Sequence, residues 1–529
     1  MTWTPSPPAP AFKPPEPDAE PPAGPKTRGG RWFTVAIVGA VGLALGLGAL
    51  VVLGSTPSGR RHAASPVESA MLATTSTAFS GKAADGKAWD PRVAPLAAAV
   101  ERIRGLTFDT TVDVQFLSDA DFDRETGDGE GTNRTTMIQE LSTLRALGYT
   151  TRNPNDLTGL LNQSPEGVRG QYSPRTKRII VRASEADVLG RAVVVHELTH
   201  ALEDQHFDLA HVGDAAPNLS RYLVLPWLVE GDATYVQNRY VASLPAAEQT
   251  AYAAQQAALL AQLDPMYRGS PGILKASSFA PYSVGQWLAA VLTAHGGFPA
   301  LDGAFRDLPR FSLELIDPVR YFESTDLVTV PPHVGRPGDR YLAVSPEFGA
   351  AELFSLLASR VDPRVALATA DRWSGGVQTV VQRRGRVCVL VNLAASPATP
   401  PAASLRAVVD QWAHAMPPGA VTVTDGPAVP GQESVSFESC DAGRSLTAPA
   451  NDAQSVMSIV VVRNALLAHE LSGHRTLAQA ACAADAVVQD PAFAPAVVAS
   501  HAADGWAIPQ PLLDDAYHRA DAAREHCTG

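Results

Sequence analysis

Residues 32–54, WFTVAIVGAVGLALGLGALVVLG, form a run of 23 residues without a charge. A helix needs about 20 such residues to cross a hydrocarbon core of roughly 30 Å. The run is therefore read as one membrane-spanning helix, which divides the chain between two compartments. Lys26, Arg28 and Arg31 precede it and Arg60 and Arg61 follow it. The basic excess on the first flank gives a modest bias towards a cytoplasmic N-terminus. A cleaved signal peptide, the rival reading, has a shorter apolar region closed by a small-residue cleavage site, which is not evident here. Residues 1–31 are proline-rich and are expected to form a disordered cytoplasmic tail. Residues 55–94 read as a tether.

With 529 residues, 45% hydrophobic and 18% charged, the remainder can fill two or three folded domains. The net charge of -12 and the lack of a lysine–arginine cluster exclude a nucleic-acid partner, because phosphate binding needs a concentrated basic surface. All four cysteines, Cys388, Cys440, Cys482 and Cys527, lie beyond the apolar run, so outside the cytosol they form two disulfides. Proximity in sequence suggests Cys388 with Cys440 and Cys482 with Cys527, one of three possible connectivities. No C-x-x-C spacing supports a structural zinc knuckle.

Periodicity predicts helices in VAPLAAAVERIRGL and TTMIQELSTLRALGY and strands in TTVDVQFL and KRIIVR. A further helix starts at a capping box, Ser184 to Asp187, and continues through AVVVHELTHALEDQHF. Another is expected to begin near Pro226, a residue tolerated in a first turn, and to run through WLVEGDATYVQNRYVAS. SVGQWLAAVLTAHGG should close at Gly296-Gly297. Beyond PPHVGRPGDR come a hairpin around Arg383 to Arg386, a helix in SLRAVVDQWAHAM, a strand in SVSFESC and an alanine-rich helical end. The expected fold is α+β. A mostly helical domain with a small antiparallel sheet (95–345) precedes a smaller α+β region (346–445) and a helical C-terminus (446–529).

In VVVHELTHALEDQH, His196 and His200 are four apart, so a helix turns both imidazoles to one side, with Glu197 beside them. Two histidines and a third protein group leave a zinc ion one open position for water, and a neighbouring carboxylate can take the proton of that water. The ordinary alternative is a core helix with internally hydrogen-bonded histidines. For the third ligand, His206 has the spacing of HExxHxxGxxH, but Glu203 stands where the glycine would turn the chain. On a continuing helix His206 lies about 240° around from His200 and points away. Glu230, a carboxylate in the apolar segment PWLVEGDATYV, competes with it, because a cation would offset the cost of burying it. A helix-surface glutamate is the alternative there.

HELTH followed by WLVEGDATYV resembles the gluzincin zinc peptidases, whose third ligand is a glutamate on a second helix. The wider pattern, with FAPYSVGQWLAAVLTAHGGF and LELIDPVRYF, is similar to a group of bacterial zinc-peptidase-like proteins over about residues 95–345. The resemblance implies a zincin-like fold, His196, His200 and Glu230 as Zn2+ ligands, and Glu197 as general base. It also implies that Tyr282, in Tyr-x-x-Gly, stabilises the transition state; a packed aromatic at a helix start is the other reading. Asp204 and Asp232 are candidates to hold the ligand imidazoles. The strand from Lys177 to Arg182 resembles the zincin edge strand that pairs with an extended peptide. LLAHELSGH, with His469, Glu470 and His474, spaces its histidines five apart and is set aside, as are His295 and His333. The function expected is a single-pass membrane zinc metallopeptidase acting outside the cytoplasm on peptides or proteins. The alternatives are a zincin-fold binding or assembly factor and a zinc hydrolase of another amide or ester.

Overall fold

The computed structural model describes residues 81–127, 134–151, 168–182, 187–214, 219–267, 270–323, 327–345, 347–399, 402–504 and 508–527. The proline-rich tail, the 32–54 run and the tether up to residue 80 lie outside them. No helix among the described residues is long and apolar enough to cross a membrane. The described residues begin at Gly81, inside the stretch read as a tether. A bridge between Lys82 and Ala88 presents the buried Trp89 edge-on to Phe108, ring centroids 4.9 Å apart.

Helix α1 (Ala94–Arg104) precedes a three-stranded sheet of β1 (Asp113–Phe116), β2 (Gly170–Ser173) and β3 (Arg178–Val181). β2 and β3 pair antiparallel across a tight turn in which Lys177 adopts φ 54°. β1 joins the other side of β3 in parallel, as two intervening helices allow, because parallel neighbours need a long crossover. The strand expected at the edge, β3, is therefore central, and β2 is the edge.

Helix α2 (Val188–Phe207) is buried almost all round. Its cap is Asp187, whose side chain accepts from the Leu189 N–H, rather than a box begun at Ser184, a residue outside those described. The helix passes through Glu203 without a break and ends where Asp208 turns left-handed at φ 50°.

Helix α3 (Leu219–Ser243) starts well before Pro226, which lies in its interior and not in its first turn. An interior proline removes a hydrogen bond and costs about 3 kcal/mol. Burial of the adjacent Leu225, Leu228 and Val229 offsets that cost. Helices α4 (Gly272–Ser283) and α5 (Gly285–Arg306) follow, α5 broken at Gly296 and at Gly297, whose φ is 66°. α3 and α5 cross at glycine against glycine: a methyl group on Gly231 would overlap the Gly285 backbone, and one on Gly285 would overlap the Trp227 carbonyl. The two glycines follow Glu230 and close the Tyr282-x-x-Gly turn, so this contact sets the distance between the two side chains.

The second half holds a five-stranded antiparallel sheet of β4 (Arg340–Ser345), β5 (Trp373–Arg383), β6 (Arg386–Ala395), β7 (Val421–Asp425) and β8 (Glu433–Cys440), in the order β4-β5-β6-β8-β7. The β5–β6 hairpin turns through Arg384 and Gly385, both at positive φ. Cys388 and Cys440 are register partners on β6 and β8 and are disulfide-bonded; Cys482 pairs with Cys527. Helix α6 (Ala453–Ser472), capped by Asp452, packs on α4 and α5. A single apolar cluster runs from Ala276, Ala280 and Val284 through Phe437 to Val460 and Leu513. The fold is α+β, and residues after 345 press directly on the helix that carries Tyr282.

Gly231→Ala should therefore lower stability by about 1–3 kcal/mol through overpacking. Gly303→Ala, on α5 with nothing within 4 Å of an added methyl, should be neutral or raise stability by roughly 0.5–1 kcal/mol. Thermal unfolding of both variants beside the parent checks this; equal midpoints would contradict the close crossing.

Candidate metal centre

α2 supplies His196, Glu197 and His200 from one face, and α3 brings Glu230 against them. His196 Nε2 stands 3.1 Å from Glu230 Oε2 and 3.1 Å from His200 Nε2, and His200 Nε2 is 3.4 Å from the same oxygen. Three donor atoms around a tetrahedral zinc, each bonded at about 2.0–2.1 Å, are separated by about 3.3 Å. The observed triangle has that size. All three residues are 1% exposed.

The charges at these three residues act on one another. Burial pushes His196 below the usual histidine range, partly opposed by its hydrogen bond to Glu230. His200 is pushed down by burial, but the charges of Glu230 and Glu203 and its hydrogen bonds to both outweigh this and carry it well above the usual range. Burial would raise Glu230, yet the charge of His200 and the hydrogen bonds from both imidazoles hold it down at about 2. Two imidazole nitrogens and a carboxylate oxygen close enough to share one ion form a group that could hold a metal.

Glu197 lies beside the triangle. The Tyr172 N–H of β2 donates to its Oε2 at 2.7 Å, and its Oε1 is buried with no hydrogen-bond partner. Burial, reinforced by the charge of Glu230, lifts its carboxyl to about 8 against the pull of His200 and the Tyr172 N–H. Gly170 makes room for this strand on α2, because a side chain there would run into Val193 and Glu197.

Tyr282 closes the far side. Its ring stacks on His196, centroids 6.2 Å apart and planes at 26°, and its buried hydroxyl has no partner of good geometry. Burial raises the hydroxyl well above the usual tyrosine range, and the charges of Glu230 and Glu197 add to the rise, so the oxygen faces those two carboxylates.

Asp204 and Asp232 do not touch the ligand imidazoles. Asp204 accepts from the Tyr172 hydroxyl at 2.6 Å, from Lys177 and from the Leu209 N–H, which ties the β2–β3 hairpin to the end of α2. Asp232 pairs with Arg104 of α1 at 2.7 Å, both side chains fully buried. The partner of His200 Nδ1 is Glu203 Oε2, at 3.0 Å. The signal was present in the sequence as an i, i+3 pair on α2 and was read only as the loss of a glycine.

His206 donates Nε2–H to the Thr107 carbonyl at 2.8 Å, away from the triangle. His295 packs on Phe322 and His333 faces Glu438 at 3.4 Å. His469, Glu470 and Asp521 come within ligand reach of one another, but Arg524 donates to both carboxylates, at 2.6 and 2.7 Å, and fills the place of a cation. His474 lies past the end of α6 at φ 63°. No protein-family model, curated protein or solved structure matches the chain.

Two outcomes follow. If the triangle holds a metal, Glu230→Ala should abolish stoichiometric binding of zinc, the metal probed, whereas His206→Ala should leave it unchanged; titration against a chromophoric chelator reads both, and the reverse pattern would contradict the assignment. In chelator-treated protein, Glu197, raised from 4.5 to about 8, keeps a proton that the unfolded chain gives up. Its contribution is full below 4.5 and is lost as pH rises to about 8. The thermal midpoint of the parent should thus fall more steeply from about pH 5 to about 8 than that of Glu197→Gln. Equal slopes would contradict the burial of Glu197.

Proposed function

We propose that the chain is a membrane-anchored zinc metallopeptidase that hydrolyses peptide bonds outside the cytoplasm. One observation carries the reading: beside the triangle of His196, His200 and Glu230 donor atoms lie Glu197, with a buried and unpartnered Oε1, and the buried Tyr282 hydroxyl, set against Glu230. The donor set of two nitrogens and one carboxylate oxygen fits zinc, and a zinc ion held there would supply a bound water acidic enough to attack at neutral pH.

Glu197 is the base for that water. Its Oε2 is pinned by the Tyr172 N–H, which leaves Oε1 to take the proton and return it to the leaving amine. Tyr282 keeps its proton, because burial and two neighbouring carboxylates oppose its ionisation, and so serves as a donor to the oxygen of the scissile carbonyl. β2 is the sheet edge beside Glu197, and its outward main-chain groups other than the Tyr172 N–H, which Glu197 takes, are where an extended peptide would pair. That pairing gives affinity with little sequence preference and supports peptides over small esters. Two disulfides, with no free cysteine among the described residues, support a location outside the cytosol, with residues 32–54 as the anchor.

The test is the purified chain in detergent, loaded with zinc and given a peptide library. Glu197→Gln should retain zinc and lose activity by about 10²–10⁴-fold. Tyr282→Phe should lower kcat by roughly 10²–10³-fold with little change in KM. Equal cleavage by the parent and Glu197→Gln would overturn the proposal.

A further inference from the structure

Glu203 is a buried carboxylate that the proposed reaction does not use. It lies one turn beyond His200 on α2, is 1% exposed, and places Oε2 3.0 Å from His200 Nδ1. With a cation in the triangle taking His200 Nε2, the neutral ring carries its proton on Nδ1 and donates it to Glu203. That bond fixes both the tautomer and the plane of the ring, and aims the Nε2 lone pair into the triangle.

Beyond Glu203 lies a buried ion pair: Arg104 of α1 donates Nε–H to Asp232 of α3 at 2.7 Å, and the same guanidinium pairs with Asp302 of α5 at 2.6 Å. Three helices thus converge behind one imidazole. His196 has no equivalent support. Its Nδ1 makes no hydrogen bond of good geometry, and the nearest helper is the amide of Gln237, which also donates to the Tyr252 hydroxyl at 3.0 Å. A carboxylate inside a buried helix is costly unless it meets a donor, and the imidazole N–H is the donor Glu203 meets.

We propose that Glu203 is the positioning residue of the metal centre, acting through His200. The proposal rests on reading the centre as a zinc site. It attributes the effect to a hydrogen bond reaching Nδ1, so reach matters more than charge. A glutamine keeps the reach and loses the charge; an aspartate keeps the charge and loses the reach.

The experiment uses the full chain in detergent: zinc affinity by chelator competition, and the visible absorption spectrum of the cobalt-loaded form, for the parent, Glu203→Ala, Glu203→Gln and Glu203→Asp. The parent should bind one zinc. Glu203→Ala and Glu203→Asp should weaken zinc by about 10–100-fold and alter the cobalt spectrum. Glu203→Gln should stay within a few-fold of the parent and keep its spectrum. Affinities of the aspartate and glutamine variants that are equal, or an alanine variant that binds like the parent, overturn the positioning role while leaving the zinc site standing. A parent that binds no zinc overturns the zinc reading and this proposal with it. Should the alanine variant fail to fold, the aspartate–glutamine comparison still decides.

Discussion

A carboxylate buried to 1% in the middle of a helix has to be neutralised, and Glu230 is that carboxylate. Leaving it ionised and alone would cost several kcal/mol. It meets two imidazole nitrogens at 3.1 and 3.4 Å, and each of these is itself hidden from water. Much of the surrounding structure serves this meeting. α2 is buried almost all round because its polar face is turned into the protein, α3 tolerates an interior proline on the way to Glu230, and β2 sheds a side chain at Gly170 so that its backbone can reach Glu197.

The meeting depends on contacts made elsewhere. The Gly231–Gly285 crossing brings α3 and α5 together, and Tyr282, three residues before Gly285, is carried in with them. Behind α4 and α5 stands α6, whose cap Asp452 touches Gly272 at the start of α4. The C-terminal half thus backs the helices that carry the candidate site. Its buried Arg463, paired with Asp371 at 2.7 Å and Asp485 at 2.8 Å, locks α6 to the elements around it.

Local signals made part of this legible in the sequence. The i, i+4 histidines and the apolar run ahead of them pointed to α2 because helix periodicity is local, and Glu230 stood out as a carboxylate in an apolar segment. The β5–β6 hairpin carried its signal in Arg384-Gly385, and both disulfides join cysteines that neighbour each other along the chain. What escaped notice depends on tertiary partners. Asp204 and Asp232 looked like imidazole partners until Lys177 and Arg104 were seen to take them, and Glu203 was judged by the glycine it replaced instead of by the turn it shares with His200. The place of β3 in the sheet follows from β1, paired across a long crossover that no window of sequence contains. The interior position of Pro226 likewise reflects packing that outweighs propensity.

The most direct measurement is anomalous diffraction at the zinc edge from crystals of the zinc-loaded chain. The account predicts one peak about 2.0–2.1 Å from His196 Nε2, His200 Nε2 and a carboxylate oxygen of Glu230, with a fourth position left to water. A peak ligated by His206, or one lying between His469 and Asp521 with the His196–His200–Glu230 triangle empty, would contradict it.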